Sequence, residues 1–291
     1  MVLIHSVCRP GEKPEVLLLD NYAADKGTVD ALQRLRGTRK LGSYACTTLI
    51  ESPDYALTQM EAPPVQPEER REALRWALKD VVSFPVESAC IDILDLPSES
   101  LPAGRSAGVL VVSASEQAVR DCVAPFVAAK VRLDVVDVPE MAQRNVAALV
   151  ADENRGVVFL RVDETGMMLT LIFHGELVAV RRSEMTSLQL TGDEPTQRER
   201  VLERLVLELQ RSLDNFDRQY SHIPISKVVV AAFPPVEGLI DALSQGTYVP
   251  LVALNLNGVL DFPGVPELKD PDVQAKYLLS IGAALRTSEA P

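Results

Sequence analysis

The chain has 291 residues, with 47% hydrophobic and 24% charged side chains, which is enough apolar surface to fold and enough length for two domains. With 29 Lys+Arg against 41 Asp+Glu the formal charge is −12, so the basic footprint of a nucleic-acid binder is missing, as is the Lys/Arg cluster of an anionic-lipid binder. The longest nearly apolar runs, Gly108–Val112 and Val228–Phe233, fall far short of the ~20 residues of a membrane-spanning helix, and no direct membrane insertion is expected. Met1–Glu15 lacks the basic start of a signal peptide. Cys8, Cys46, Cys90 and Cys122 stand singly in apolar segments, with no CxxC pair, and read as reduced core thiols.

Val2–Cys8 and Glu15–Asn21 flank the turn chemistry Arg9-Pro10-Gly11-Glu12-Lys13-Pro14 and predict a β-hairpin. Thr28 reads as the N-cap of a short helix, Val29–Arg36, and Ser43–Ile50 as a strand. A second group of elements begins near Pro53. Tyr55–Met60 is a strand, and Pro67 opens a helix to about Val82, with Leu74, Leu78 and Val81 on one stripe and Trp76 expected in the core. Cys90–Leu96 and Gly108–Ser113 are strands. Ser113 and Glu116 have capping-box spacing for the next helix, which Pro125 should kink or shorten. Val131–Val138 is a strand, so this group reads strand–helix–strand–strand–helix–strand, an α+β module. Pro139 opens a further helix.

Three closely spaced strands follow, Gly156–Asp163, Met167–Phe173 and Leu177–Ser183, as an antiparallel meander. Thr196 and Glu199 fit a capping box for the longest helix, striped by Leu202, Leu205, Leu209, Leu213, Phe216 and Tyr220. Lys227–Phe233 is a strand, Val236–Leu243 a helix, Val249–Leu254 a strand and Asp272–Leu285 a closing helix. The second half thus reads βββαβαβα. The first half reads ββαβ, the module, then α, which is the same unit lacking its opening strand if the module is an insertion. Two such units form the architecture of the actin, Hsp70 and sugar-kinase group. The expected fold is therefore α/β, actin-like (ASKHA, ribonuclease H-like), with two domains and an inserted α+β subdomain. Residues 1–52 with 138–154 form domain 1, with part of the C-terminal helix; residues 53–137 form the insertion, and 155–291 domain 2.

Particular residues carry a resemblance. Tyr55-Ala-Leu-Thr-Gln, Ala62-Pro-Pro-Val, Glu68-Glu69 and Ala73-Leu74-Arg75-Trp76, followed by Asp92 and Leu96-Pro97, resemble the inserted subdomain of the PilM/MshI family. Val135-Val136-Asp137-Val138-Pro139-Glu140-Met141-Ala142 with Asn145 is similar to the segment leading into that family's closing helix of domain 1. Glu208-Leu-Gln-Arg211-Ser212-Leu213-Asp214 resembles its long helix, and Ser280-Ile-Gly-Ala-Ala-Leu-Arg286 its C-terminal helix. The MshI-like proteins of mannose-sensitive-haemagglutinin (MSHA)-type pili are the subtype most resembled. The resemblance implies an actin-like protein of type IV pilus biogenesis, cytoplasmic and held at the inner face of the inner membrane by its partner. That partner would be an inner-membrane PilN- or MshJ-like protein, bound through its cytoplasmic N-terminal tail, with a link to the pilus motor ATPase. The PilM-related GspL of type II secretion and the FtsA-like division proteins are alternatives.

An actin-like ATP site needs two hairpin turns that bring backbone N–H groups and a carboxylate to the phosphates and Mg²⁺, and glycines that let the backbone approach. The first turn is not found, because the chain opens on what reads as the second strand. Asp25-Lys26-Gly27-Thr28 has the letters but falls between a strand and a helix. The second turn is Asp163-Glu164-Thr165-Gly166, one residue longer than D-x-G, which makes Asp163, Thr165 and Gly166 the only cofactor-binding candidates. A glycine pair is replaced near Thr186-Ser187. The adenosine turn reads Ala231-Ala232-Phe233-Pro234-Pro235, with bulky and φ-restricted residues where glycines belong. A nucleotide-free, non-catalytic pseudo-actin is therefore expected, without cofactor or metal, and ATP with Mg²⁺ and weak hydrolysis is the alternative. His5, His174 and His222 lack metal-ligand spacing. Asp92 with Asp95 reads as solvated carboxylates, and Arg181-Arg182 as a structural strand end.

Overall fold

The computed structural model describes residues 1–23, 25, 27–97 and 108–286. They form two units, one of residues 1–2 and 21–139 and the other of residues 3–20 and 140–286.

The chain opens with a hairpin, β1 (Val2–Val7) and β2 (Glu15–Asn21), which forms a two-stranded sheet. Next come α1 (Thr28–Arg39) and the short β3 (Thr47–Leu49). The N-cap of α1 is Gly27 at φ 92°, and Thr28 is its first helical residue, so the expected Thr28 cap is corrected by one position. The inserted part follows with β4 (Tyr55–Glu61), α2 (Pro67–Ala77), β5 (Cys90–Asp95), β6 (Gly108–Ala114) and α3 (Glu116–Ala129). Its sheet is antiparallel with order β4-β6-β5. Beneath it lies a core of Leu74, Leu78, Val86, Ala89, Ile91, Val109 and Val111. Ser115, not Ser113, caps α3 by accepting from the Ala118 N–H, because the strand runs on through Ser113. The helix continues through Pro125 without being cut short. The Arg36 guanidinium on α1 donates to the Ala129 carbonyl at the end of α3 at 3.0 Å. The strand expected to close the module, β7 (Val135–Asp137), does not join that sheet. It runs parallel to β3 and pairs with it alone.

The second unit contains α4 (Pro139–Leu149), the meander β8 (Gly156–Asp163), β9 (Gly166–Phe173) and β10 (Glu176–Ser183), and α5 (Ser187–Thr191). It continues with α6 (Pro195–Gln219), β11 (Ile225–Ala232), α7 (Leu239–Ser244), β12 (Leu251–Ala253), α8 (Pro271–Lys276) and α9 (Leu278–Ala284). The closing helix is thus two short ones. Glu194 precedes α6 without a side-chain cap bond, so the expected Thr196 box does not form.

The sheet order is β10-β9-β8-β11-β12, with β8 antiparallel to β9 and parallel to β11. Every residue of β9, and every residue of β8 before Asp163, is buried, which is why neither strand alternates polar with apolar. On one face the α6 stripe of Leu205, Leu209, Leu213 and Phe216 packs on Val158, Leu160, Leu169 and Leu171. On the other, Gln143 of α4 donates to the Phe159 carbonyl and the Thr170 hydroxyl, both at 3.0 Å. The hairpin is tied to the C-terminal part of this unit: the Ser6 hydroxyl donates to the Ala284 carbonyl, and the Val16 N–H to the Asp261 carbonyl at 2.8 Å.

Candidate functional site

The turn between β8 and β9 gathers Asp163, Thr165 and Gly166 and occupies them internally. One Asp163 carboxylate oxygen accepts from the Thr165 N–H at 2.8 Å and from the Thr165 hydroxyl at 2.6 Å. The other faces the Arg161 guanidinium in an ion pair, and both side chains are largely buried. Sequence reading missed Arg161, although the signal was there: residues two apart on a strand share a face. Gly166 has φ +142°, and a Cβ on it would stand 2.7 Å from the Ser183 carbonyl oxygen, so glycine is required for the β9–β10 approach whatever the turn binds.

At the far end of β11 the chain turns through Phe233 and Pro234, joined by a cis peptide bond. A cavity of about 240 Å³ lies beside this turn. Ala232, Pro235, Val236, Leu239 and Ile240 form much of its wall, and the charged residues among those lining it are Asp241 and Asp272. This is below the ~300 Å³ at which ligand pockets usually begin, and its acidic lining repels phosphate. Thr186 caps α5 in a reciprocal box with Gln189. The buried Ser187 hydroxyl donates to the Phe233 carbonyl at 2.7 Å. The positions of the expected glycine pair and the adenosine turn are thereby fastened to each other. The Lys276 ammonium stands 5.4 Å from the centre of the Phe233 ring, within cation–π range.

Asp25 and Gly27 precede α1 in irregular chain, and Lys26 between them lies outside the described residues. Asp92 and Asp95 are exposed and face Arg71 at 4.0 Å and Arg70 at 2.7 Å. Arg182 pairs with the buried Glu140 at 2.6 Å. His174 sits at the β9–β10 turn with φ 51°. Among the described residues no three His, Cys, Asp or Glu side chains form a metal-ligating group.

Trp76, expected in the core, is 54% exposed, because Leu74 and Leu78 occupy the inner face of α2 and Trp76 falls on the outer one. The cysteines are not core residues either: Cys8 and Cys90 are exposed, Cys46 and Cys122 are half-buried, and all four are free. Among the described residues no helix is long and apolar enough to cross a membrane.

An antiparallel meander continued by two parallel strands, in the order 3-2-1-4-5, is the sheet of an actin-like fold. No family model matches the chain, and no curated protein does. Among solved structures, a chain of the PilM–PilN type IV pilus biogenesis complex superposes with a TM-score of 0.75 at 18% identity, over 98% of this chain and 94% of that one. The two chains share a fold. The cytoplasmic domain of EpsL, an inner-membrane component of the Vibrio cholerae type II secretion system, gives 0.49 at 14% identity, over 94% of this chain and 86% of that one. A protein of actin-like ATPase fold and unknown function from Bacteroides thetaiotaomicron gives 0.49 at 11%, over 96% and 91%.

Proposed function

We propose that this chain is a non-enzymatic adaptor of a type IV pilus assembly platform. In this reading it binds the cytoplasmic N-terminal tail of an inner-membrane PilN-like protein, sits at the inner membrane through that partner, and links it to the pilus machinery and its motor ATPase. The observation that carries the reading is the superposition on a chain of the PilM–PilN complex over 98% of the length. The quoted PilM/MshI-like segments add to it, and of that family's branches they favour an MSHA-type pilus with an MshJ-like partner.

The non-enzymatic part rests on chemistry. Arg161 and Thr165 hold the Asp163 carboxylate that would face Mg²⁺. The room for adenosine is narrowed by Phe233, Pro234 and Pro235, and Ser187 bonds to that turn. These residues do not fit a magnesium nucleotide.

Two measurements test the proposal. The purified protein mixed with a PilN-like tail at micromolar concentration should co-purify as a complex, and the absence of one would remove the adaptor reading. Thermal melting with excess Mg-ATP should leave Tm unchanged. A ligand at 100 times its Kd adds about 2.7 kcal/mol of stability, so a clear rise would restore the nucleotide-switch alternative.

A further inference from the structure

Residues 31–50 and 122–133 contain no Asp or Glu, although the whole chain has 41. Their basic residues are Arg34, Arg36, Arg39, Lys40, Lys130 and Arg132. The two stretches lie far apart in the chain, so no cluster shows in the sequence. The fold brings them together within one unit. Helix α1 packs on α3, and the Arg36 guanidinium reaches the Ala129 carbonyl at 3.0 Å, next to Lys130. Beyond the helices, the Cys46 N–H donates to the Asp134 carboxylate at 3.0 Å and the Asp134 N–H to the Cys46 carbonyl at 2.9 Å. The ends of the two stretches are thereby joined as well.

Some of these cations are engaged. Arg34 pairs with Asp30 at 3.1 Å, and Arg39 donates to the Tyr22 hydroxyl at 3.1 Å. Arg132 pairs with Asp134 at 2.6 Å, yet its side chain stays 81% exposed. Lys40 and Lys130 are exposed, and no ion pair among the described residues holds either. Both stand at helix C-caps in the left-handed conformation, with φ 53° and 55°, where glycine is the usual residue. A cation suits the negative end of a helix dipole, which accounts for a lysine at either cap taken alone. It does not account for Arg36 and Arg132 beside them, or for the lack of acid in both stretches. Two exposed apolar side chains adjoin the cations: Val127, 68% exposed, one turn before Lys130, and Tyr44, 44% exposed, shortly after Lys40.

We infer that Arg36, Lys40, Lys130 and Arg132 form a docking face for an anionic phospholipid surface. Lys and Arg are drawn to anionic headgroups, and tyrosine and aliphatic side chains beside them settle at headgroup level. These apolar neighbours favour lipid over a soluble polyanion, which offers charge alone. With −12 overall, the rest of the surface is repelled by the same bilayer, which turns this face toward it. The contact is peripheral and needs no spanning segment. It goes beyond the adaptor role proposed above, in which the partner alone holds the chain at the membrane.

The test is flotation of the purified chain with vesicles of phosphatidylethanolamine and phosphatidylglycerol, against vesicles of phosphatidylcholine alone. Binding is expected to the anionic vesicles only, and raised salt should abolish it. Each cation near the surface contributes about fivefold in affinity, so Lys40→Gly with Lys130→Gly should weaken binding about 25-fold. Glycine suits both left-handed caps, so this double variant should fold as wild type does, which circular dichroism checks. Should the glycines disturb the caps, Lys40→Gln with Lys130→Gln gives the same reading. Three results would overturn the inference: no binding to the anionic vesicles, equal binding to phosphatidylcholine, or a folded double variant that binds as well as wild type. Binding to a polyglutamate peptide or to single-stranded DNA, with none to vesicles, would assign the face to a soluble polyanion and overturn it too. Capture of a PilN-like tail needs no lipid, so the adaptor reading stands or falls separately.

Discussion

Ser187 shows how one hydroxyl shapes the region where a nucleotide would sit. It is buried, its partner is the Phe233 carbonyl, and Ser187→Ala leaves that carbonyl without its side-chain donor. The expected loss is about 1 kcal/mol, a fall in Tm of about 2–4 °C by calorimetry. Trp76→Ala, by contrast, removes a side chain that is half in water and should change stability by less than about 0.5 kcal/mol in urea unfolding. Burial raises the thiol pKa of Cys46, with the Asp134 carboxylate adding to it, and burial also raises that of Cys122. Both should therefore alkylate with iodoacetamide at pH 8 more slowly than a free thiol, which peptide mass spectrometry would read. The Asp152 carboxyl lies below its ordinary range because of hydrogen bonds from Ser226 and Lys227. A lowered folded pKa gives stability that is full above the ordinary value near 4 and lost as pH falls through the folded one. Asp152→Asn should thus destabilise at pH 7, and its difference from wild type should vanish in acid. The sequence placed Asp163, Thr165 and Gly166 in one turn. It did not show Arg161 closing on Asp163, because a motif search follows letters and not the faces of strands.

At the scale of elements, the contact between α4 and α9 joins two of the segments that carry the PilM/MshI resemblance. Asn145 donates its side-chain amide to the Gly282 carbonyl at 2.9 Å. A Cβ on Gly282 would collide with the Ala142 carbonyl oxygen and its backbone. Helix backbones this close leave no room to relax, so Gly282→Ala should cost about 3 kcal/mol by chemical denaturation. The boundaries of β8, β9 and β10 were legible to within a residue, because short turns and continuous apolar runs leave few alternatives. Helix starts were read less well. Thr28 read as a cap and Ser113 and Thr196 had capping-box spacing, yet Gly27, Ser115 and Glu194 stand at the N-caps. Spacing alone does not say where the preceding strand or turn releases the chain.

Across the whole molecule, burial is uneven. The five-stranded sheet of the second unit has helices on both faces, while β1, β3 and β7 are only partly covered. Since local stability follows buried contacts, hydrogen-exchange mass spectrometry should find the slowest amides in β8, β9 and β11, and much faster exchange in β1, β3 and β7. The order of strands and helices, the actin-like class and the departure of the nucleotide turns from their pattern were determined by the sequence. Periodicity, proline and glycine act locally and are written residue by residue. Which sheet β7 joins and that Trp76 faces water were decided only by the tertiary structure. Each depends on what lies opposite a residue from a distant part of the chain, and no local spacing encodes that.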